Sequence, residues 1–256
     1  MKWSQWKTRR RVRMGDLYIT GRTGYLGSEL ARLRPHAEGE RVEIRDAAAV
    51  HALFERLRPE TVIHTAYRQE DASVNVEGSE NVARAAAAVS ARLVHLSTDI
   101  VFDGRKGAPY VEDDALSPVT DYGRAKAEAE VRVAREHPEA LIVRTSLIYG
   151  GAEPSRNELM VRDPGLTFFT NEIRCPVQVG DLAAALLELA ALDVSGPLHV
   201  AGADAVSRAG FAELIAGESV RSAPAPETRP LDCSLDSSRA QGMIRTRLRG
   251  VREVLS

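Results

Sequence analysis

Three residues in the middle of the chain have types and a spacing that could transfer a proton. Tyr122 and Lys126 lie four positions apart in DYGRAKAEAE, and Thr98 precedes Tyr122 by 24 positions in HLSTDIVFDG. If the DYGRAKAEAE segment is helical, the phenol and the ammonium share one face of the helix. A fixed cation favours the phenolate and lowers a tyrosine pKa from about 10. The pair therefore indicates an acid–base site.

A glycine-rich turn near the start of the chain indicates a nucleotide site. Gly21, Gly24 and Gly27 are spaced as GxxGxxG between an apolar strand and an apolar-periodic helix. Glycine permits a tight turn, close approach of the backbone to a pyrophosphate and close packing of the helix on the sheet. A glycine triplet alone is weak evidence, but its strand and helix flanks and the residues downstream make it strong.

Length and composition exclude several classes of protein. The 256 residues are 44% apolar with a formal net charge of −2, so the charge does not favour nucleic acid or an anionic surface. No segment approaches the roughly 18 consecutive apolar residues of a membrane span. Cys175, Cys233 and six scattered histidines predict neither a disulfide framework nor a metal site. We expect a cytoplasmic protein without nucleic-acid or membrane partners.

Residues 1–15 form a separate basic segment. They include six Lys or Arg residues and no acidic residue, and they lack the apolar stretch of a secretory signal. One interpretation is an arm that binds nucleic acid or anionic lipid. A poorly ordered extension is favoured, because Met14 lies immediately before the first predicted strand.

Strands and helices alternate along the rest of the chain, as in proteins with a parallel sheet. Asp46 is the expected N-cap of one helix, another follows Val179, and residues 222–230 (SAPAPETRP) read as a linker. Ligands collect where parallel strands end, which places the glycine turn and residues 65–67, 96–98 and 145–146 at one edge. The predicted strands are Leu17–Thr20, Arg41–Ile44, Thr61–Thr65, Leu93–Leu96, Leu141–Thr145 and Leu198–Ala201.

These features together resemble the extended short-chain dehydrogenase/reductases, and within them the dTDP-4-dehydrorhamnose reductase type of sugar-nucleotide reductase. The resemblance runs nearly end to end from residue 16 to residue 255. Its most specific piece is STDIVFDG (residues 97–104), which is similar to that subfamily's STDYVFDG. Further matching stretches, in the family's order, are VNVEGSENVARAA, PYVEDDALSP, RTSLIYG and RPLDCSLDSSRAQ.

The resemblance implies a doubly wound α/β fold, a Rossmann-type parallel sheet with a small C-terminal α/β substrate lobe. Residues 16–150 and 176–202 would form the dinucleotide-binding domain, and residues 151–175 and 203–256 the substrate-binding lobe. The implied activity is NADPH-dependent reduction of a 4-keto-6-deoxy sugar nucleotide, in a chain that could form a homodimer.

By the same resemblance, Tyr122 would donate a proton to the developing alkoxide and Thr98 would hydrogen-bond the same oxygen. Lys126 would hold the nicotinamide ribose and depress the Tyr122 pKa. No residue is expected to bind a metal. The implied cofactor-binding residues are Gly21, Arg22, Thr23, Gly24, Tyr25, Leu26, Glu43, Ile44, Ala66, Tyr67, Leu96, Tyr122 and Lys126. The implied substrate-binding residues are Thr98, Asp99, Val101, Phe102, Tyr122, Ser146, Arg174 and Arg229. Asp99 also fits a turn residue, since short acids bond nearby backbone readily.

One departure from the family concerns the adenosine ribose. Between Gly27 and Asp46 there is room for only one helix and one strand. The usual strand end that sorts NAD from NADP is therefore missing, and Glu43 and Ile44 fall where the family contacts adenine. Arg22 could supply a cation to a 2′-phosphate, which favours NADPH and leaves NADH open. A solvent-exposed loop arginine is the alternative.

A second departure concerns the substrate lobe. The segment between Gly150 and Pro176 is shorter than expected, and Leu147 stands where the family commonly has a tryptophan, so the substrate is less determined than the reaction. Guanidinium groups match phosphate oxygens. The candidate diphosphate partners, which could equally be surface arginines, are Arg156, Arg174 and Arg229.

There are three alternatives to a reductase: two other enzymes of the same superfamily and one non-catalytic protein. A 4,6-dehydratase would have an Asp and a Glu directly after the threonine, whereas Asp99 is followed by Ile100. A 4-epimerase uses the same three catalytic residues and retains its NAD, but STDIVFDG and RPLDCSLD favour the reductase. A non-catalytic nucleotide-binding subunit, similar to the beta subunit of methionine adenosyltransferase, stays open because the shortened segments suit it.

Overall fold

A computed structural model of the chain describes residues 16–256. The predicted basic extension at residues 1–15 lies outside the described residues. In chain order the strands are β1 (Leu17–Thr20), β2 (Thr61–His64), β3 (Arg92–Thr98), β4 (Leu141–Thr145), β5 (Ile148–Tyr149), β6 (Phe168–Phe169), β7 (Ile173–Arg174), β8 (Val177–Gln178), β9 (Gly196–His199), β10 (Val206–Ser207) and β11 (Ser222–Ala223). The helices are α1 (Tyr25–Leu33), α2 (Ala47–Leu57), α3 (Ala72–Ala88), α4 (Asp121–Glu136), α5 (Arg156–Val161), α6 (Val179–Ala190), α7 (Arg208–Ala216), α8 (Ser238–Gln241) and α9 (Val251–Leu255), with a 3₁₀ turn at Asp99–Val101.

The central sheet has the strand order β1-β2-β3-β4-β9, and all of its pairings are parallel. Strands β1, β2, β4 and β9 are buried along their whole length. Burial on both faces is what a parallel sheet covered by helices requires, and it explains why these strands read as short apolar runs. The α/β prediction is confirmed.

Helices cover both faces of this sheet. Leu17 and Ile19 belong to a core with residues of α1 and α6, whereas Tyr18 belongs to a second core with residues of α2, α3 and α4. Alternate residues of a strand point to opposite faces, so β1 joins both cores. This is the doubly wound arrangement that the sequence predicts.

Most predicted elements form near their expected bounds. Strand β4 has the predicted bounds, β3 extends to Thr98, and β9 lies two residues before the predicted Leu198–Ala201. The Asp46 carboxylate accepts a 3.0 Å hydrogen bond from the Ala49 amide and caps α2, as predicted. Helix α6 begins at Val179.

The predicted strand at Arg41–Ile44 is wrong. The residue that pairs with β1 is Glu38, whose amide donates to the Leu17 carbonyl at 2.7 Å and whose carbonyl accepts from the Ile19 amide at 2.9 Å. Pairing ends at this residue, and the Ile44 side chain is instead buried in the core beside α2 and α3. A single bridge thus occupies the position of the second strand.

The remaining strands form three short sheets, pairing β5 with β8, β6 with β11 and β7 with β10. The predicted linker at residues 222–230 is wrong in its first part, because Ser222 and Ala223 form β11 and pair with Phe168 and Phe169 of β6. Among residues 16–256, no helix is long and apolar enough to cross a membrane.

Candidate active site

The glycine turn lies directly after β1, at the edge of the sheet where the parallel strands end. Gly21 has φ +66°, and a Cβ there would lie 2.9 Å from the Ala66 backbone. A Cβ on Gly27 would lie 2.1 Å from the Gly21 carbonyl oxygen. Gly24 precedes α1 and brings no side chain to its N-terminus. The first-turn N–H groups of α1 therefore suit an anionic ligand.

Tyr122 lies in the first turn of α4, which Thr120 caps by accepting a 3.0 Å hydrogen bond from the Gly123 amide. Tyr122 is half-buried, and its ring centroid lies 6.2 Å from that of Tyr67, which is 56% exposed. Tyr67 follows β2 and α4 precedes β4, so two connections of the sheet bring these phenols together.

Lys126 is buried one turn further along α4. Its Nζ donates to the Leu96 carbonyl at 2.6 Å and lies 3.5 Å from the His95 Nε2. Burial lowers the pKa of Lys126 to about 8, against an opposing effect of the Glu130 carboxylate. An ammonium with this pKa is still largely protonated at neutral pH.

The predicted lowering of the Tyr122 pKa is wrong for this arrangement. Burial raises the pKa of Tyr122 above its ordinary value, and the neighbouring Tyr67 and Asp99 raise it further. The Lys126 ammonium is bonded to Leu96 rather than placed against the phenol. Tyr122 is therefore a protonated phenol at neutral pH, which can donate a proton.

Asp99 holds two hydroxyl groups at the ends of neighbouring strands. Its carboxylate accepts from Thr98 Oγ1 at 3.2 Å and from Ser146 Oγ at 2.6 Å. Arg174 Nε lies 3.8 Å away, but burial still raises the pKa of Asp99. The turn role predicted for Asp99 extends further than expected, because this buried carboxylate orients both hydroxyls.

Two predicted substrate residues, Val101 and Phe102, have fully buried side chains. The Phe102 ring stacks on Tyr110 at a centroid distance of 4.0 Å, and the Arg144 guanidinium carbon lies 5.2 Å from the centroid of the Phe102 ring. These two side chains are therefore closed to a ligand, and a substrate contact at Val101 and Phe102, which stays a prediction, would come from their backbone. Their packing instead supports the loop that carries Thr98 and Asp99.

The arginines predicted to bind a diphosphate are already engaged. Arg174 is buried and donates to the carbonyls of Ile173, Pro230 and Leu231 at 2.6 to 2.9 Å. Arg229 is 45% exposed in its side chain and binds Glu172 at 2.5 Å.

Arg156 is also engaged. Its guanidinium bonds Gln69 at 2.5 Å. Arg174 therefore directs its donors to protein carbonyls, whereas diphosphate binding by the exposed Arg156 and Arg229 stays a prediction.

The predicted adenosine residues separate into two groups. Glu43 is exposed and binds Arg45, and Ile44 is buried against Gly78. Arg22, in contrast, lines a cleft with residues 35–40. Its Nε is buried and has no hydrogen-bond partner among the described residues. Of these predicted residues, Arg22 is the one with an unused donor.

Other predicted cofactor residues also have defined surroundings. Leu26 is buried in the core, so only its backbone is near the turn. The Ala66 amide donates to Thr20 Oγ1 at 3.2 Å, and Thr23 is exposed. The Tyr25 hydroxyl accepts from the Gly151 amide at 2.7 Å, which joins the glycine turn to the segment before α5.

Sequence reasoning missed two residues beside this site. Arg208 begins α7, and its Nη1 donates to Asn157 Oδ1 at 3.0 Å. Burial lowers the pKa of Arg208, as do the charges of Arg174 and Arg229. Among the described residues, no carboxylate lies within ion-pair distance of Arg208, and no motif in the sequence signals it.

His95 is the other missed residue. It precedes Leu96 on β3 and points to the α4 side of the sheet. The alternation of HLST could have revealed it, since the histidine side chain must face opposite to that of Leu96. The described residues contain no cluster of three His, Cys, Asp or Glu side chains that could hold a metal ion.

Comparison with known proteins places the chain in a family. Residues 15–256 match the family model described as RmlD substrate binding domain. The dTDP-4-dehydrorhamnose reductase of Mycolicibacterium smegmatis is 33% identical over 275 aligned positions, covering 93% of this chain and 83% of that protein. The methionine adenosyltransferase 2 subunit beta of Rattus norvegicus is 30% identical, covering 84% of this chain and 80% of that protein.

A solved structure gives the same result at the level of the fold. The dTDP-4-dehydrorhamnose reductase of Bacillus anthracis in complex with NADP superposes with a TM-score of 0.82 at 26% identity, covering 95% of this chain and 98% of that one. The chain belongs to the RmlD substrate binding domain family, as its sequence motifs predict.

Proposed function

We propose that the protein is an NADPH-dependent reductase of a 4-keto-6-deoxy sugar nucleotide, similar to dTDP-4-dehydrorhamnose reductase. The observation that carries this proposal is the position of Thr98, Tyr122 and Lys126 at the sheet edge that also bears the glycine turn. The named reductases among its relatives support the same reaction class.

The residues at this edge fit a nicotinamide dinucleotide. Gly21 and Gly24 leave the backbone open before α1, where a pyrophosphate would bind. Lys126 would hold the nicotinamide ribose, and the unused Nε of Arg22 suits a 2′-phosphate. NADPH is therefore the preferred cofactor, and NADH stays an alternative.

When bound, the cofactor supplies the hydride. The protein contributes the proton and its placement: Tyr122, protonated at neutral pH, donates to the oxygen of the reduced ketone. The Thr98 hydroxyl donates to Asp99 in this structure, and it would turn its single hydrogen from that carboxylate to donate to the same oxygen. The Lys126 ammonium, one turn further along α4, adds positive charge to this edge of the sheet.

For the substrate lobe we propose residues 151–175 and 203–256, with the dinucleotide-binding domain at residues 16–150 and 176–202. Arg208 joins Arg229 as an expected partner of the substrate's anionic groups in place of the buried Arg174, because no carboxylate among residues 16–256 pairs with its charge. A homodimer and a cytoplasmic location are further expectations, which light scattering and cell fractionation would check.

The reaction is tested by mixing the purified chain with a dTDP-4-keto-6-deoxy sugar and NADPH and following the loss of NADPH absorbance. We expect turnover that Tyr122→Phe lowers by roughly 10²- to 10⁴-fold while leaving the thermal melting curve unchanged. A chain that binds NADPH but reduces no 4-keto sugar nucleotide, and whose Tyr122→Phe variant loses only a protein partner, would instead be a nucleotide-binding subunit. Epimerisation without net NADPH loss would indicate the 4-epimerase.

A further inference from the structure

A buried cluster of two histidines and a lysine lies between the central sheet and α4. His64 on β2, His95 on β3 and Lys126 on α4 are 1%, 0% and 3% exposed. The two imidazole rings are 5.2 Å apart, and His95 Nε2 lies 3.5 Å from Lys126 Nζ. Such a group inside an apolar layer requires that its polar atoms find partners.

The two histidines differ in how their nitrogens are used. His64 Nδ1 lies 2.6 Å from Thr20 Oγ1, and its Nε2 lies 3.0 Å from Ser79 Oγ. His95 has a partner only at Nε2, and its Nδ1 is buried without one in residues 16–256. His64 is therefore a satisfied core residue, whereas His95 directs its Nε2 to Lys126 and leaves its Nδ1 without a partner among the described residues.

The direction of the His95 hydrogen bond follows from the chemistry of the lysine. An ammonium has three donors and no acceptor. One donor is used by the Leu96 carbonyl at 2.6 Å. If Lys126 is charged, His95 Nε2 must accept, and the imidazole proton must then reside on Nδ1.

We propose that His95 is a positioning residue for Lys126: its neutral imidazole accepts a hydrogen bond at Nε2 and, with the Leu96 carbonyl, holds the ammonium in the direction that the cofactor ribose requires. The ribose part of this statement rests on the proposed function. The hydrogen bond itself does not.

The other charged and titratable groups facing Lys126 do not supply this acceptor. Glu130, one turn along α4, is bonded to Arg144 and Ser97. Burial lowers the pKa of His64 to about 3, so that ring is neutral, and both its nitrogens are bonded. Tyr122 is a protonated phenol. His95 is thus the neutral acceptor left for the ammonium.

The tautomer of His95 gives a test on the unaltered protein. The chain has six histidines, so a long-range ¹H–¹⁵N spectrum at neutral pH would resolve them, with His95 identified by its loss in His95→Gln. We expect a neutral ring with its proton on Nδ1. A proton on Nε2 would overturn the proposal, because that nitrogen could not then accept from an ammonium.

The lysine itself gives the second test. The chain has four lysines, Lys2, Lys7, Lys106 and Lys126, so a ¹³Cε-lysine spectrum is sparse, and Lys126→Arg assigns the resonance. Hydrogen bonding to a charged form favours it. We therefore expect His95→Leu to lower the Lys126 titration midpoint by roughly one pH unit, and His95→Gln, whose amide oxygen can accept, to restore most of the shift.

A matched control is His137, a buried histidine whose Nε2 bonds the Ala91 carbonyl at 2.8 Å at the far end of α4. His137→Leu should leave the Lys126 midpoint unchanged. An unchanged midpoint in His95→Leu, or the same shift in both leucine variants, would refute the role of His95.

Cofactor binding separates this proposal from the proposed function. In fluorescence titrations at pH 7, His95→Leu should weaken NADPH about five- to tenfold and His95→Gln less. If the lysine midpoint shifts as expected but NADPH affinity does not change in any His95 variant, then the hydrogen bond exists and the ribose role of Lys126 is wrong. If neither changes, the His95 proposal alone is wrong.

Discussion

Two buried polar clusters lie one turn apart on the same face of α4, and they differ in how completely their hydrogen bonds are used. Around Glu130, Arg144 donates from Nε and Nη2 at 2.9 to 3.2 Å, and Ser97 Oγ donates at 2.5 Å. Arg144 Nη1 also donates to the Glu112 carbonyl at 3.2 Å. The cluster around Lys126 leaves His95 Nδ1 without a partner.

The difference indicates a division of labour along one helix. A buried ion pair whose donors and acceptors are satisfied holds α4 against β3 and β4, and it has nothing to offer a ligand. The cluster beside the sheet edge keeps an ammonium of lowered pKa and an unpaired imidazole nitrogen, which costs stability. We infer that the Glu130 cluster positions the helix and the Lys126 cluster serves the reaction.

The sharpest separation of the two clusters comes from Tyr122→Phe. This change keeps the ring and removes the proton, so turnover should fall by roughly 10²- to 10⁴-fold, the usual contribution of a positioned general acid. The free energy of unfolding should hardly change, because Tyr122 OH has no hydrogen bond within the described part of the chain. Steady-state rates and urea unfolding of the same preparation check both statements, and a large loss of stability would contradict the assignment.

The complementary variant is Arg144→Met, which should act on stability instead. It leaves the Glu130 carboxylate buried without its cation, so the free energy of unfolding should fall by about 3 to 5 kcal/mol. The double variant Arg144→Met/Glu130→Leu removes both charges and should recover a large part of the loss. Urea unfolding measures all three proteins, and a single variant within about 1 kcal/mol of the parent would show that the cluster does not hold the helix.

The same contrast between used and unused donors applies to the arginines. Arg22→Ala should weaken NADPH by about 1.5 to 3 kcal/mol, the range for a hydrogen bond to a charged group, and should spare NADH. Gly39→Val is a second route to this result, because a Cβ at Gly39 would lie 2.1 Å from Arg22 Cδ and would displace the side chain. Calorimetry with both cofactors decides, and equal losses for NADPH and NADH would remove Arg22 from the cofactor site.

Much of this arrangement could be predicted from the sequence. Apolar periodicity predicts the five strands of the central sheet and the helices that follow Asp46 and Val179. The glycine spacing, together with Tyr122 and Lys126, predicts the edge of the sheet where the site lies. These signals are local, since each depends on residues within one element or one turn. The family resemblance is likewise confirmed by a match over residues 15–256.

What could not be predicted depends on contacts between distant segments. Glu38 rather than Arg41–Ile44 pairs with β1, through backbone hydrogen bonds to Ile19 and Leu17, which lie 19 and 21 positions away. Arg174 reads like a phosphate ligand until its guanidinium meets the carbonyls of Pro230 and Leu231, 56 and 57 positions away. The direction of the Tyr122 pKa likewise depends on burial, which spacing along a helix does not reveal.

The smallest expected effect concerns the pH dependence of cofactor binding, and it tests the Lys126 cluster directly. The pKa of Lys126 is lowered from 10.5 to about 8, so the ammonium is present below pH 8 and is lost as the pH rises through that value. A hydrogen bond from a charged donor contributes about 1 kcal/mol more than one from a neutral donor. NADPH affinity should therefore fall about fivefold between pH 7 and pH 9.5 and then level off, because binding to the ammonium raises the Lys126 pKa in the complex. Fluorescence titrations across this range measure the decline, and Lys126→Met should bind NADPH weakly and independently of pH. A decline of equal size in Lys126→Met would assign the titration to another group and would leave the Lys126 cluster without a demonstrated role in binding.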